Sequence, residues 1–146
     1  MRVSAAFRTG GAGSTTLPMA SLMATAAVRP RIVEIGVFNT TSTAVAICLK
    51  RITAAGGTHA AITEVQMNDD SQTPVAVVVD VDTGTAPTLA AGAIRQAPLG
   101  AAVGSGVIWT FGDTGLIIPA GTANGLAIVC ATGTSQVVDV HFEWIE

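Results

Sequence analysis

Three titratable side chains, Asp139, His141 and Glu143, occupy alternate positions near one end of the sequence and form the one cluster whose residue types and spacing together suggest chemistry. An imidazole between two carboxylates is suited to moving protons or to gripping a metal ion. Alternate side chains along an extended strand stand roughly 7 Å apart, so three in succession reach one metal only if a neighbouring strand adds a ligand. The sequence names no such ligand. His59 is the only other histidine, so the paired-histidine and glutamate spacing of cupin-type metal sites is absent. The three residues are therefore expected to line a strand face turned toward solvent or another subunit.

Other candidates are weaker. Asp80 and Asp82 share a strand face beside Asp69 and Asp70, which makes a calcium site only if that loop folds back; acids in a loop on an acidic body are the commoner case. Residues 100–106 (GAAVGSG) have the glycines of a phosphate cradle, but a strand-like run follows instead of a helix. No Gly-x-Ser-x-Gly elbow occurs, and two histidines give no serine–base pair to propose. Trp109 and Trp144 are candidates for stacking on sugars, set against the commoner role of strand tryptophans in a core or interface. Cys48 and Cys130 lie in apolar runs and read as buried thiols, with a disulfide open to them only if their strands are neighbours. No catalytic, metal-binding or cofactor-binding residue is assigned, and the chain is expected not to be an enzyme.

Composition narrows the partners. Hydrophobic residues make up 49% of the 146 and charged residues only 12%, yet the apolar runs are strand-sized, and a membrane helix needs about 20 apolar residues in succession. The excess must be buried in protein, which points to a subunit that is covered by others. Seven basic residues without a basic cluster cannot supply the phosphate contacts of nucleic-acid binding. Charge is also divided along the chain. Arg2, Arg8, Arg29 and Arg31 give the first 33 residues +4 with no acid, and the remainder carries −7 within a total of −3. A basic segment on an acidic body reads as an arm seeking an acidic partner surface, which makes those four arginines the candidate partner contacts. The same segment is not expected to be a signal peptide, since Gly10, Gly11, Gly13 and Pro18 break any apolar stretch.

The elements that must carry these residues are strands. Residues 1–31 are expected as an extended N-terminal arm and residues 32–146 as the body. Within the body, residues 31–38 and 44–52 are β-rich runs separated by a five-residue polar loop of hairpin length. Residues 75–82 (VAVVVDVD), 107–111, 126–131 and 136–144 are further strands. Residues 83–106 look mostly like loop, with an edge strand near 93–97. The last run alternates strictly, Val138, Val140, Phe142 and Trp144 toward a core and Asp139, His141 and Glu143 away from it. Short strands, long Gly/Pro/Thr loops and almost no helix imply an all-β fold: an antiparallel jelly-roll-like β-sandwich with an N-terminal arm.

Residues 31–56 (RIVEIGVFNTTSTAVAICLKRITAAG), residues 106–133 (GVIWTFGDTGLIIPAGTANGLAIVCATG) and the closing Phe142-Glu143-Trp144 resemble small structural proteins of tailed bacteriophages. The resemblance covers roughly half of the chain and has no catalytic motif in it. Within that group it implies a capsid decoration, or cement, protein: a small β-sandwich, often trimeric, that sits on the shell and reinforces contacts between major capsid proteins. The expected partners are then the major capsid protein and two further copies of the chain, with no nucleic acid and no membrane. The expected location is the capsid surface of the virion, after a soluble stage in the host cytoplasm. A carbohydrate- or receptor-binding β-sandwich module and a tail or head-to-tail joining protein are the alternatives.

Overall fold

The computed structural model of the chain describes residues 1–68 and 72–146, apart from the side chains of residues 58–59 and 77–83. Among the described residues there is no helix. The strands are β1 (Arg2–Arg8), β2 (Ala20–Met23), β3 (Arg31–Asn39), β4 (Val45–Ala54), β5 (Thr58–Ala61), β6 (Val65–Gln66), β7 (Val77–Thr83), β8 (Thr88–Leu99), β9 (Gly106–Thr110), β10 (Leu116–Ile117), β11 (Gly125–Thr132) and β12 (Val138–Ile145). They pair antiparallel in two sheets. In the first, β3, β12, β1 and β6 follow one another, and β9 and β10 share the free edge of β3. In the second the order is β5-β7-β2-β11-β4-β8.

The all-β, antiparallel expectation holds, and the alternation that marked β12 is what the fold uses. Val138, Val140, Phe142 and Trp144 are buried, while Asp139, His141, Glu143 and Ile145 are half-buried on the other face. These inward side chains join Ile32, Ile35 and Val37 of β3 and meet Leu22, Ile47, Leu49, Leu126 and Ile128 of the second sheet in one buried cluster. The two sheets are also latched at one margin, where Arg51 of β4 donates to the carbonyl of Ile117 in β10 at 3.0 Å. Glu146 closes another seam. Its carboxylate accepts the N–H groups of Val75 and Ala76 at 2.7 and 2.8 Å and the indole N–H of Trp144 at 2.8 Å, which ties the segment leading into β7 to the first sheet.

Residues 1–31 are not an arm. β1 lies inside the first sheet, paired with β12 from Arg2↔Ile145 to Arg8↔Asp139 on one side and with β6 on the other. β2 lies inside the second, between β11 and β7. Val3, Ala5, Ala20 and Leu22 are buried at 1% exposure or less. The physical reason is that β1 has the inward period of a half-buried strand, with Arg2, Ser4, Ala6 and Arg8 turned out and Val3 and Ala5 turned in. The accessible surface agrees: 6542 Å² is slightly below the roughly 6,900 Å² that a compact monomer of this mass exposes, and an extended arm would add to it.

Two further expectations change. The loop 40–44 is no hairpin, because β3 and β4 belong to different sheets and the loop carries the chain between them. Sheets stack about 10 Å apart, a span that five residues cross easily. The segment expected as loop with a short strand near 93–97 is instead the twelve-residue edge strand β8, held on β4 through several register shifts. Cys48 and Cys130 do sit on neighbouring strands, but the register is Val129↔Cys48 and Cys130↔Ile47. That one-residue offset turns them to opposite faces of the sheet. Cys130 joins the cluster between the sheets, and Cys48 joins a second apolar cluster with Met23, Ile52, Ala127 and Val129. Both thiols are free and buried, and burial pushes both up from the usual cysteine range.

Removing residues 1–8 should therefore abolish folding rather than trim an appendage, since it strips β12 of one partner and uncovers Phe142 and Trp144. The expected result is loss of a cooperative thermal transition; a truncated chain that melts cooperatively near the temperature of the full chain would restore the arm.

Candidate functional site

The outward face of the first sheet brings Asp139, His141 and Glu143 together with Arg2 and Arg8. β12 runs between β1 and β3, and each of its three outward polar side chains is met from one of those neighbours. Asp139 faces Arg8 directly across the β1 pairing and receives two hydrogen bonds, Nε to Oδ1 at 2.7 Å and Nη2 to Oδ2 at 2.9 Å. Glu143 accepts from Arg2 Nη2 at 2.7 Å along a diagonal of the same strand pair. His141 turns the other way, toward β3, and places Nε2 3.0 Å from Glu34 Oε1.

The seat of His141 is built by three alternate residues of β3. Glu34, Gly36 and Phe38 all point outward, and Gly36 lies directly opposite His141. A Cβ at position 36 would overlap the imidazole, so glycine is what lets the ring lie across the strand. On the other side Phe38 stacks on it, with ring centroids 6.3 Å apart and planes 25° from parallel. Phe38, His141, Ala6, Phe7, Arg8 and Asp139 line a shallow, open groove of about 500 Å³.

This arrangement presents a stacked aromatic surface beside a guanidinium–carboxylate pair. The fourth member that the sequence left unnamed, a partner for His141 on an adjacent strand, is Glu34. It was missed because only the β3–β12 register brings it there; the signal in the sequence is the alternation of Glu34, Gly36 and Phe38 within the RIVEIGVF run. Among the described residues no group of three or more His, Cys, Asp or Glu is placed to hold a metal ion. The calcium arrangement of Asp69, Asp70, Asp80 and Asp82, and the side chain of His59, lie outside the described residues. Residues 100–106 form a turn that leads into β9, a strand, so the helix a phosphate cradle needs does not follow them. Trp144 is fully buried and Trp109 nearly so, and neither offers a face for a sugar.

The four arginines read as partner contacts are dispersed. Arg2 and Arg8 are spent on Glu143 and Asp139 within the chain. Arg31 lies in β3 and reaches the carbonyl of Asp113 at 3.3 Å. Arg29 precedes it and is exposed, beside a small groove shared with Ile117, Ile145 and Glu146. The charge division along the sequence is thus partly closed inside the first sheet, with the basic outward side of β1 answered by the acidic outward side of β12.

Comparison with protein-family models, with curated proteins and with solved structures finds no match to this chain.

Hydrogen bonding from Arg8 holds the Asp139 carboxyl below the usual carboxylate range; partial burial opposes the shift and Coulombic attraction to Arg8 adds to it. A carboxyl depressed in the folded state contributes stability that is present above its unfolded value of about 3.9 and is lost as pH falls through the folded value. Arg8→Ala should therefore melt slightly below wild type at neutral pH and low salt, with the gap closing as the medium is acidified through the Asp139 titration. Thermal melts of the two proteins across that range check this, and a gap that stays constant with pH would contradict it.

Proposed function

We propose that the chain is a structural protein of a tailed-bacteriophage particle, and within that class a capsid decoration protein: a jelly-roll-like β-sandwich that binds the shell of major capsid protein and stabilises it, acting as a homotrimer on the capsid surface after a soluble stage in the host cytoplasm. The observation that carries this reading is how the chain spends its few charges. Arg2–Glu143, Arg8–Asp139 and Glu34–His141 are closed on one another. Around these pairs, exposed apolar residues including Val65, Val103, Ile108 and Ile117 are scattered among small neutral ones, while Arg29, Arg95 and Asp113 remain as exposed charges. Such a surface suits broad contact with other protein subunits better than recognition of a charged small molecule. Two antiparallel sheets sharing one core, with the chain crossing between them at most connections, fit a sandwich. The phage-like segments 31–56 and 106–133 include strands that build these sheets.

A second reading, a carbohydrate- or receptor-binding module, is favoured by the Phe38–His141 pair above its groove. It is weakened by the burial of both tryptophans.

Undecorated shells of the parent phage, mixed with purified protein and sedimented, test the first reading. Saturable co-sedimentation with a rise in the melting temperature of the shell is expected. Protein that stays in the supernatant at tens of micromolar would overturn it.

A further inference from the structure

Four loops meet at one end of the molecule: residues 9–19 after β1, 40–44 after β3, 100–105 after β8 and 132–137 between β11 and β12. They are stitched into one surface. Ser14 O accepts from Cys130 N–H at 3.0 Å, beside the 132–137 loop. Thr40 Oγ1 donates to Val137 O at 2.6 Å and Thr41 Oγ1 to Gln136 Oε1 at 3.0 Å. Asn39, almost fully buried, is the hub: its side-chain amide donates to Thr43 O at 2.7 Å and to Gly100 O at 2.9 Å, and its backbone exchanges hydrogen bonds with Ser105 and Gly104.

None of these four loops contains Asp, Glu, Lys, Arg or His, although charged side chains ordinarily gather on exposed segments. The charges at the border are Arg8 and Asp139, which neutralise each other. At the tip of the surface the 100–105 loop carries Ala101, Ala102 and Val103, and Val103 is 74% exposed. Beside it lies a groove of about 350 Å³ lined by neutral residues, including Ala44, Pro98, Leu99, Gly133 and Thr134.

The absence of charge bears on what covers this end. Copies of one chain meeting around a symmetry axis bring each near-axis charge against its own like charge, which repels it. At net −3 per copy, a charge-free face is where copies approach at least cost. The loops are also already ordered by their own hydrogen bonds, which lowers the entropy lost on docking.

We infer that the charge-free loop end is the surface through which copies of this chain associate, the Val103 tip of one copy seating in the neutral groove of the next. The inference rests on the structural role proposed above for its biological use, and it names the face that role would employ.

Light scattering on the full chain at tens of micromolar tests it with three substitutions. Wild type should weigh a small multiple of 14.6 kDa, and Val103→Glu should fall to the single-chain mass while still melting in one cooperative transition. Thr134→Glu, in the groove, should act like Val103→Glu and covers the case in which that variant fails to fold. Thr122→Glu, in an exposed loop at the opposite end, should keep the wild-type mass. A single-chain wild type, a Val103→Glu and Thr134→Glu pair that stay assembled, or a Thr122→Glu that also dissociates would each overturn the inference. An oligomer that ignores shells would sink the decoration role and leave this face standing; a monomer that binds shells would do the reverse.

Discussion

The structure depends on β12 being clasped between β1 and β3. One strand with strict inside–outside alternation organises both the core and the charged outer face. Its inward side places Val138, Val140, Phe142 and Trp144 in the cluster that joins the two sheets. Its outward side presents Asp139, His141 and Glu143 at positions where the neighbouring strands hold Arg8, Glu34 and Arg2. A slip of one residue in either pairing would turn the apolar set outward and break the charge matching together, so the two requirements define the same register.

Once that register is set, the charge economy of the surface is set with it. The basic side chains of β1 and the acidic ones of β12 lie far apart in sequence and opposite one another in space, so the chain satisfies them internally. Exposed pairs of this kind contribute little to stability. Their larger consequence is that the outward face of the first sheet carries its charges as closed pairs, while the four loops at one end carry none. The low charge content of the sequence is in this sense a property of particular surfaces, and the proposed structural role draws on it.

Much of the fold was legible. β12 declared itself by alternation, and β3, β4, β7 and β11 by their β-branched and apolar runs. The parts that were not legible had non-local causes. Whether residues 2–8 are an appendage or a central strand depends on a partner at the other end of the chain. β8 is rich in Ala and Gly and includes Pro98, residues with weak strand preference, and its pairing with β4 overrides that preference. The loop 40–44 has hairpin length yet joins strands of different sheets, a choice made by the core and not by the loop. At the candidate site, Asp139, His141 and Glu143 were visible as a group, whereas Glu34 and the room that Gly36 leaves for the imidazole needed the β3–β12 register. The two cysteines show the same limit, being on adjacent strands but on opposite faces.

Hydrogen exchange on the native protein tests the clasping of β12 most directly, because it reads each backbone amide in place. If β1 is an interior strand clasping β12, the hydrogen-bonded amides within Arg2–Arg8 should exchange as slowly as those of Val138–Ile145 and be released in the same cooperative opening. Amides of residues 2–8 that exchange freely while β12 stays protected would show that the first strand is peripheral and that β12 is not held by it.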